Sequence, residues 1–135
     1  MANSAYRPAG DRHHVVVIGA GLGGLSAVQK LKNADVDVTV IDKKNHHLFQ
    51  PMLYQVTTGL ISASDVAPSI RQLLDGQDNA DFINGEVTDI DVNGQTVTAN
   101  LAGTERVVSY DSLIVAAGSN QSYFGNDHFA EFAPG

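Results

Sequence analysis

Val15, Val16, Val17 and Ile18 run straight into Gly19-x-Gly21-x-x-Gly24, and the glycines run into a stripe of Leu22, Leu25, Val28 and Leu31. Four apolar, β-branched residues in a row, without polar alternation, suit a strand covered on both faces, which is the situation inside a parallel sheet. The stripe after them has helical spacing, with Gln29, Lys30, Lys32 and Asn33 falling elsewhere over residues 22–34. Strand, glycine turn and helix in that order form a dinucleotide-binding fingerprint in its required context. The first glycine permits the sharp turn, the second lets the backbone approach a pyrophosphate, and the third lets helix and strand pack closely. The backbone N–H groups of Leu22, Gly23 and Gly24 then point at phosphates from the positive end of the helix dipole. A plain glycine-rich connection is the bland alternative.

Val36, Val38, Val40 and Ile41 predict a second strand ending at Asp42, 18 residues after Gly24. An acid near that spacing accepts the adenosine ribose hydroxyls, whereas a solvated strand-end acid would do nothing. Lys43 and Lys44 suit a 2'-phosphate, but a carboxylate at the sugar would repel one, so an unphosphorylated ribose is expected. Beyond Asp42, Pro51 fits a helix start and Gly59 a helix stop. Ser62 or Ser64 caps one further helix, with Asp65 in its first turn, Pro68 near its beginning, an inward stripe of Val66, Ile70, Leu73 and Leu74, and an end at Gly76. Residues 82–92 alternate around Gly85 as a strand, and 97–101 and 106–110 follow as two more, separated by Asn93-Gly94 and Ala102-Gly103. Leu113 to Ala117 are again continuously apolar and return to the parallel sheet beside the first strand, with Gly118 ending the run. The expected fold is α/β: a Rossmann-like parallel sheet with helical crossovers and an inserted antiparallel β-meander. Residues 1–12 are expected to be a flexible leader, 13–118 the nucleotide-binding domain, and 119–135 a connection onward.

Eight Lys and Arg against fifteen Asp and Glu give a net charge of -7, which opposes non-specific attachment to nucleic acid or an anionic bilayer. With no cysteine, disulfides, thiolate nucleophiles and Cys-ligated metal sites are excluded for these residues. No spanning apolar run and no signal-like h-region occur, so a cytoplasmic location is expected. His46 and His47 suggest a metal, but no further ligands stand at suitable spacing and none is expected. Asp75, Asp78, Asp81, Asp89 and Asp91 read as solvated turn and edge groups.

The fingerprint alone leaves NAD and FAD open. The antiparallel excursion followed by Tyr110-Asp111-Ser112-Leu113-Ile114-Val115-Ala116-Ala117-Gly118 resembles the flavoprotein reductases with two dinucleotide-binding domains. Within them, Asp42-Lys43-Lys44-Asn45-His46-His47-Leu48-Phe49-Gln50-Pro51-Met52-Leu53-Tyr54-Gln55-Val56 and Ser122-Tyr123-Phe124-Gly125-Asn126-Asp127 are similar to the type II NADH dehydrogenases, the single-polypeptide NADH:quinone oxidoreductases. The likeness runs from about His13 to the last residue. It implies an FAD-binding domain whose cofactor contacts include Gly19, Gly21, Leu22, Gly23, Gly24, Asp42 and Lys43. Val87 would lie on the adenine side, Ala117 and Gly118 at the strand end close to FAD, and Gln50 and Pro51 near the isoalloxazine. Tyr54 and Phe49 read either as flavin-side packing or as ordinary core aromatics. Family members are much longer and carry a second fingerprint for NADH, a quinone-facing stretch and terminal amphipathic helices that contact the membrane peripherally. The expectation is therefore an incomplete FAD-binding domain, inactive alone. A stand-alone NAD(H)-binding module, or a flavoprotein of the ferredoxin reductase or sulfide:quinone oxidoreductase type, are the alternatives.

Overall fold

The computed structural model describes residues 5–119 and 122–133. Positions 1–4 of the expected leader, and 120, 121, 134 and 135 of the expected connection, lie outside these. Strand β1 (His13–Ile18) passes through the glycine turn into helix α1 (Leu22–Lys30), and β2 (Val36–Asp42) follows. A 3-10 turn (Gln50–Met52) leads into α2 (Leu53–Thr57), and then come α3 (Ala63–Val66), α4 (Ile70–Leu73), β3 (Ala80–Asn84), β4 (Glu86–Asp91), β5 (Thr96–Leu101), β6 (Thr104–Ser109) and β7 (Ser112–Val115). The parallel sheet has the order β3-β2-β1-β7, with Val15 beside Val38, Val17 beside Val40 and Val16 beside Leu113. Strands β4, β5 and β6 form a separate antiparallel sheet.

The unbroken apolar run of β1 is explained by what covers its two faces. Val15 and Val17, with Val38, Val40 and Phe82, pack against Leu25 and Val28 of α1 and against Ile70 and Leu74. Val16 and Ile18, with Ile41 and Ile83, pack against Val97, Ala99, Val108 and Tyr110 of the meander layer. Both faces are therefore dry, and a polar residue at either parity would be buried.

Two expected elements are each divided in two, and β7 ends at Val115, short of the apolar run that continues to Ala117. The single helix expected after Ser62 is two short ones, because Pro68 disfavours helical geometry in the residue before it and Ala67 accordingly sits at φ -134°, ψ 57°. Each piece starts at its own serine, Ser69 capping the second with its hydroxyl and Ser62 opening the first through bonds to the Asp65 carboxylate. The Ser62 N–H and hydroxyl donate to Asp65 Oδ2 at 3.1 and 2.7 Å, and Ser69 Oγ accepts from the Gln72 N–H at 3.2 Å. The strand expected over 82–92 is also two: β3 joins the parallel sheet and β4 opens the meander, with the chain changing layers at Gly85. A Cβ on Gly85 would stand 3.0 Å from both Asn100 O and Leu101 Cδ1, so only glycine passes there freely.

Helix α1 ends earlier than its apolar stripe. Carbonyls at its end are taken by amide side chains, Gln77 Nε2 donating to Val28 O and Asn79 Nδ2 to Leu31 O, each at 3.0 Å, and Asn79 Nδ2 also donates to Val36 O at the start of β2, at 3.0 Å. Within the expected leader, the Tyr6 N–H donates to Val107 O at 2.7 Å, the Ser109 N–H donates to Tyr6 O at 3.0 Å, and Arg7 pairs with Asp111.

Candidate dinucleotide-binding site

The site grows from the exit of β1. Gly19 adopts φ +98°, in the left-handed region, and a Cβ there would lie 2.3 Å from Ala116 O of the neighbouring chain segment. A Cβ on Gly24 would lie 1.8 Å from Gly19 O, so α1 rests directly on the backbone of the turn. Gly21 and Gly23 are the opposite case, because a Cβ on either would meet nothing within 4 Å. Two glycines thus close the turn against protein, and two leave bare backbone open.

Gly21 is the N-cap of α1 and no side chain caps the helix, whose first turn carries no acid. The first hydrogen bond of the helix runs from Leu25 N–H to Gly21 O at 3.0 Å. The N–H groups of Leu22, Gly23 and Gly24 therefore have no partner within the helix and remain available to an anion, at the end where the dipole is positive.

Asp42 closes β2 one strand away. Its Oδ2 accepts from the Ala20 N–H at 2.6 Å and its Oδ1 from the Lys44 N–H at 2.8 Å. An ionised carboxylate has about four acceptor positions, so roughly two remain for ribose hydroxyls while the two backbone bonds fix its direction. Gly19, Asp42, Lys43, Val87 and Ala117 line one cleft of about 260 Å³ at the C-terminal end of the parallel strands, where open α/β sheets take their ligands. Ile18, Ile41, Gly85 and Glu86 complete its wall, and Glu86 Oε1 stands 3.7 Å from Lys43 Nζ. Gly118 follows at φ +73°. Gln50 and Pro51 lie in the 3-10 turn, exposed and outside this cleft's lining.

One contributor escaped the sequence reading. His47 Nδ1 lies 3.0 Å from Ala20 O, so the ring touches the glycine turn itself. Adjacent histidines in a polar stretch gave no hint of it, because the contact depends on how the chain after β2 doubles back. Among the described residues, no group of three or more His, Cys, Asp or Glu could hold a metal ion, and no helix is long and apolar enough to cross a membrane.

Residues 13–133 match the model of the pyridine nucleotide-disulphide oxidoreductases. The type II NADH:quinone oxidoreductase Ndh of Mycobacterium tuberculosis (strain ATCC 25618 / H37Rv) is 59% identical over 124 residues, which is 92% of this chain and 27% of that protein. NdhA of the same organism is 58% identical over 126 residues, 93% of this chain and 27% of that protein. The fold of NDH2 from Plasmodium falciparum, solved in complex with NADH, superposes with a TM-score of 0.79 at 22% identity, covering 90% of this chain and 25% of that one. The chain spans about a quarter of the length of these relatives. By that match, and with the two-layered covering of its parallel sheet, the chain belongs to the pyridine nucleotide-disulphide oxidoreductase family.

Proposed function

We propose that residues 13–118 are the N-terminal part of the FAD-binding domain of a type II NADH:quinone oxidoreductase, with 1–12 leading into it and 119–135 leading onward. The observation that carries the reading is the bare helix start beside an oriented carboxylate: three N–H groups free of helix partners for a diphosphate, and Asp42 for a ribose. The identity to the mycobacterial enzymes supports the choice of reaction.

When bound, FAD supplies two-electron redox chemistry between NADH and a membrane quinone. The chain's own residues bind and orient it. Leu22, Gly23 and Gly24 hold the diphosphate through main-chain N–H groups, and the open side of Gly21 admits it to the backbone. Asp42 grips the ribose, Lys43 and Val87 border the adenine side, and Ala117 and Gly118 bring main chain without bulk toward the flavin. Gln50 and Pro51 are assigned to the isoalloxazine side by resemblance alone. NADH, the quinone and a peripheral contact with the inner face of the cell membrane belong to the remainder of a protein of the relatives' length; the location is cytoplasmic.

The test is the visible spectrum of the purified full-length protein, together with NADH oxidation by a soluble quinone. Flavin absorption in stoichiometric amount and quinone-dependent turnover are expected. A colourless protein that binds NAD(H) would overturn the reading in favour of a redox-inactive module.

A further inference from the structure

We propose that His47 is a positioning residue that aims the Gly21 N–H at the diphosphate; the inference rests on the dinucleotide reading above. Ala20, between the first two glycines of the fingerprint, is buried at 3% exposure, so both its backbone polar groups require partners. Its N–H goes to Asp42 Oδ2 at 2.6 Å and its carbonyl meets His47 Nδ1 at 3.0 Å. A carbonyl oxygen only accepts, so Nδ1 carries the proton and donates.

The two bonds hold two successive peptide units. Asp42 holds the unit joining Gly19 to Ala20 through its N–H, and His47 holds the unit joining Ala20 to Gly21 through its C=O. In a planar trans peptide the C=O and N–H point in opposite directions, so pinning Ala20 O on one side aims the Gly21 N–H to the other. The pin matters because Gly21 has no Cβ to resist rotation, and nothing lies within 4 Å of where one would be. A flipped Ala20–Gly21 peptide would present a carbonyl oxygen to the diphosphate instead of a donor.

The ring is mounted on fixed main chain. The Ile70 N–H donates to Asn45 O at 2.9 Å, the His47 N–H to Pro68 O at 3.0 Å, and the Phe49 N–H to Val66 O at 2.9 Å. Residues 45–49 thus run antiparallel to 66–70, whose Val66 and Ile70 are fully packed. The turn is tied in this way to the helical connection after β2.

The test uses the full-length protein with FAD as the probe, comparing H47A, H47N, H47Q and G21V. Asparagine places an amide N–H near the position of Nδ1, whereas glutamine reaches toward that of Nε2. H47A and H47Q are expected to weaken FAD binding roughly five-fold, the worth of one hydrogen bond, and H47N to restore it. The phosphorus-31 resonances of the bound diphosphate are expected to move in H47A and H47Q and to return in H47N, which a packing role alone would not produce. If H47A does not fold, the H47N and H47Q pair carries the same contrast. Parental affinity in H47Q, affinity in H47N no better than in H47Q, or unmoved phosphorus resonances would overturn the proposal. If G21V leaves FAD affinity unchanged, FAD does not use this turn, and the dinucleotide reading falls together with the role of His47.

Discussion

Gly23 and Gly24 are neighbours in the same helix, yet alanine should have opposite effects at the two positions. In an exposed helix interior, Gly→Ala gains about 1 kcal/mol by restricting the unfolded chain and improving helix propensity. Gly23→Ala meets open space and should show that gain. Gly24→Ala brings a Cβ to 1.8 Å from Gly19 O and 2.9 Å from Gly19 C, and both atoms are backbone. That is about 1.5 Å inside ordinary van der Waals contact, and no side-chain rotation relieves it. Helix α1 must lift from β1, loosening Leu25 and Val28, which are 6% and 0% exposed. Overpacking of this kind costs about 1–3 kcal/mol, occasionally more, so it outweighs the propensity gain. Thermal melts of the apoprotein followed by circular dichroism should place Gly24→Ala roughly 5–10 °C below the parent and Gly23→Ala a few degrees above it. Equal melting temperatures for the two variants would refute the claim that α1 rests on the turn's backbone.

Asp42→Ala in the full-length protein should lower FAD affinity by roughly 10- to 100-fold, since charge-assisted bonds are worth about 1.5–3 kcal/mol; unchanged flavin retention on dilution would remove the ribose role. Asn79→Ala deletes donors to Leu31 O and Val36 O and should cost about 1–2 kcal/mol in denaturant unfolding, a loss that an unshifted midpoint would contradict. Stability should also fall on acidification in two windows. Burial pushes His14 below its ordinary 6.5, and its Nδ1 is buried without a partner. The unfolded chain therefore binds a proton that the folded chain resists, and stability is lost as pH drops below about 6.5. The Arg7 side chain, with the His14 N–H, holds Asp111 down from 3.8 to about 2, so its contribution is present above pH ~4 and disappears as pH falls through ~2. Urea midpoints for the parent and H14Q across pH 4–8 check the first window: the variant should lose the slope below 6.5, and parallel profiles would disprove the assignment.

The architecture was legible where one physical cause dominated a stretch of sequence. Continuous apolar runs at 15–18 and 113–115 marked two strands that lie adjacent in the parallel sheet, but only the first is covered on both faces: β7 is an edge strand whose Val115 is exposed. Turn chemistry at Asn93-Gly94 and Ala102-Gly103 marked the meander, where Gln95, Ala102 and Gly103 take positive φ. Legibility failed where local pattern and tertiary context disagreed. Val66, Ile70 and Leu74 keep a helix-like stripe across Pro68, because all three are buried even though the backbone between the two short helices is not helical. Residues 82–92 keep alternation across Gly85, because leaving one sheet for another preserves the extended backbone, and periodicity does not record which sheet a strand joins.

On the proposed reading a chain of net charge -7 binds an anionic ligand, so side-chain charge is not what draws it in. The first turn of α1, with Leu22 and Gly23 at its head, contains no basic residue, and nearby Lys43 stands within reach of Glu86. Attraction at the turn would instead come from oriented main-chain dipoles close to the ligand. Distant carboxylates act over lengths comparable to the ~8–10 Å screening distance of physiological salt, so their opposition is largely spent before it arrives. A site assembled from main chain leaves no mark in composition. Its trace in sequence is the places where side chains must be absent, Gly19 and Gly24 against protein and Gly21 toward solvent, and the one acid at Asp42, which reaches from the end of β2 to hold the turn after β1 to the sheet.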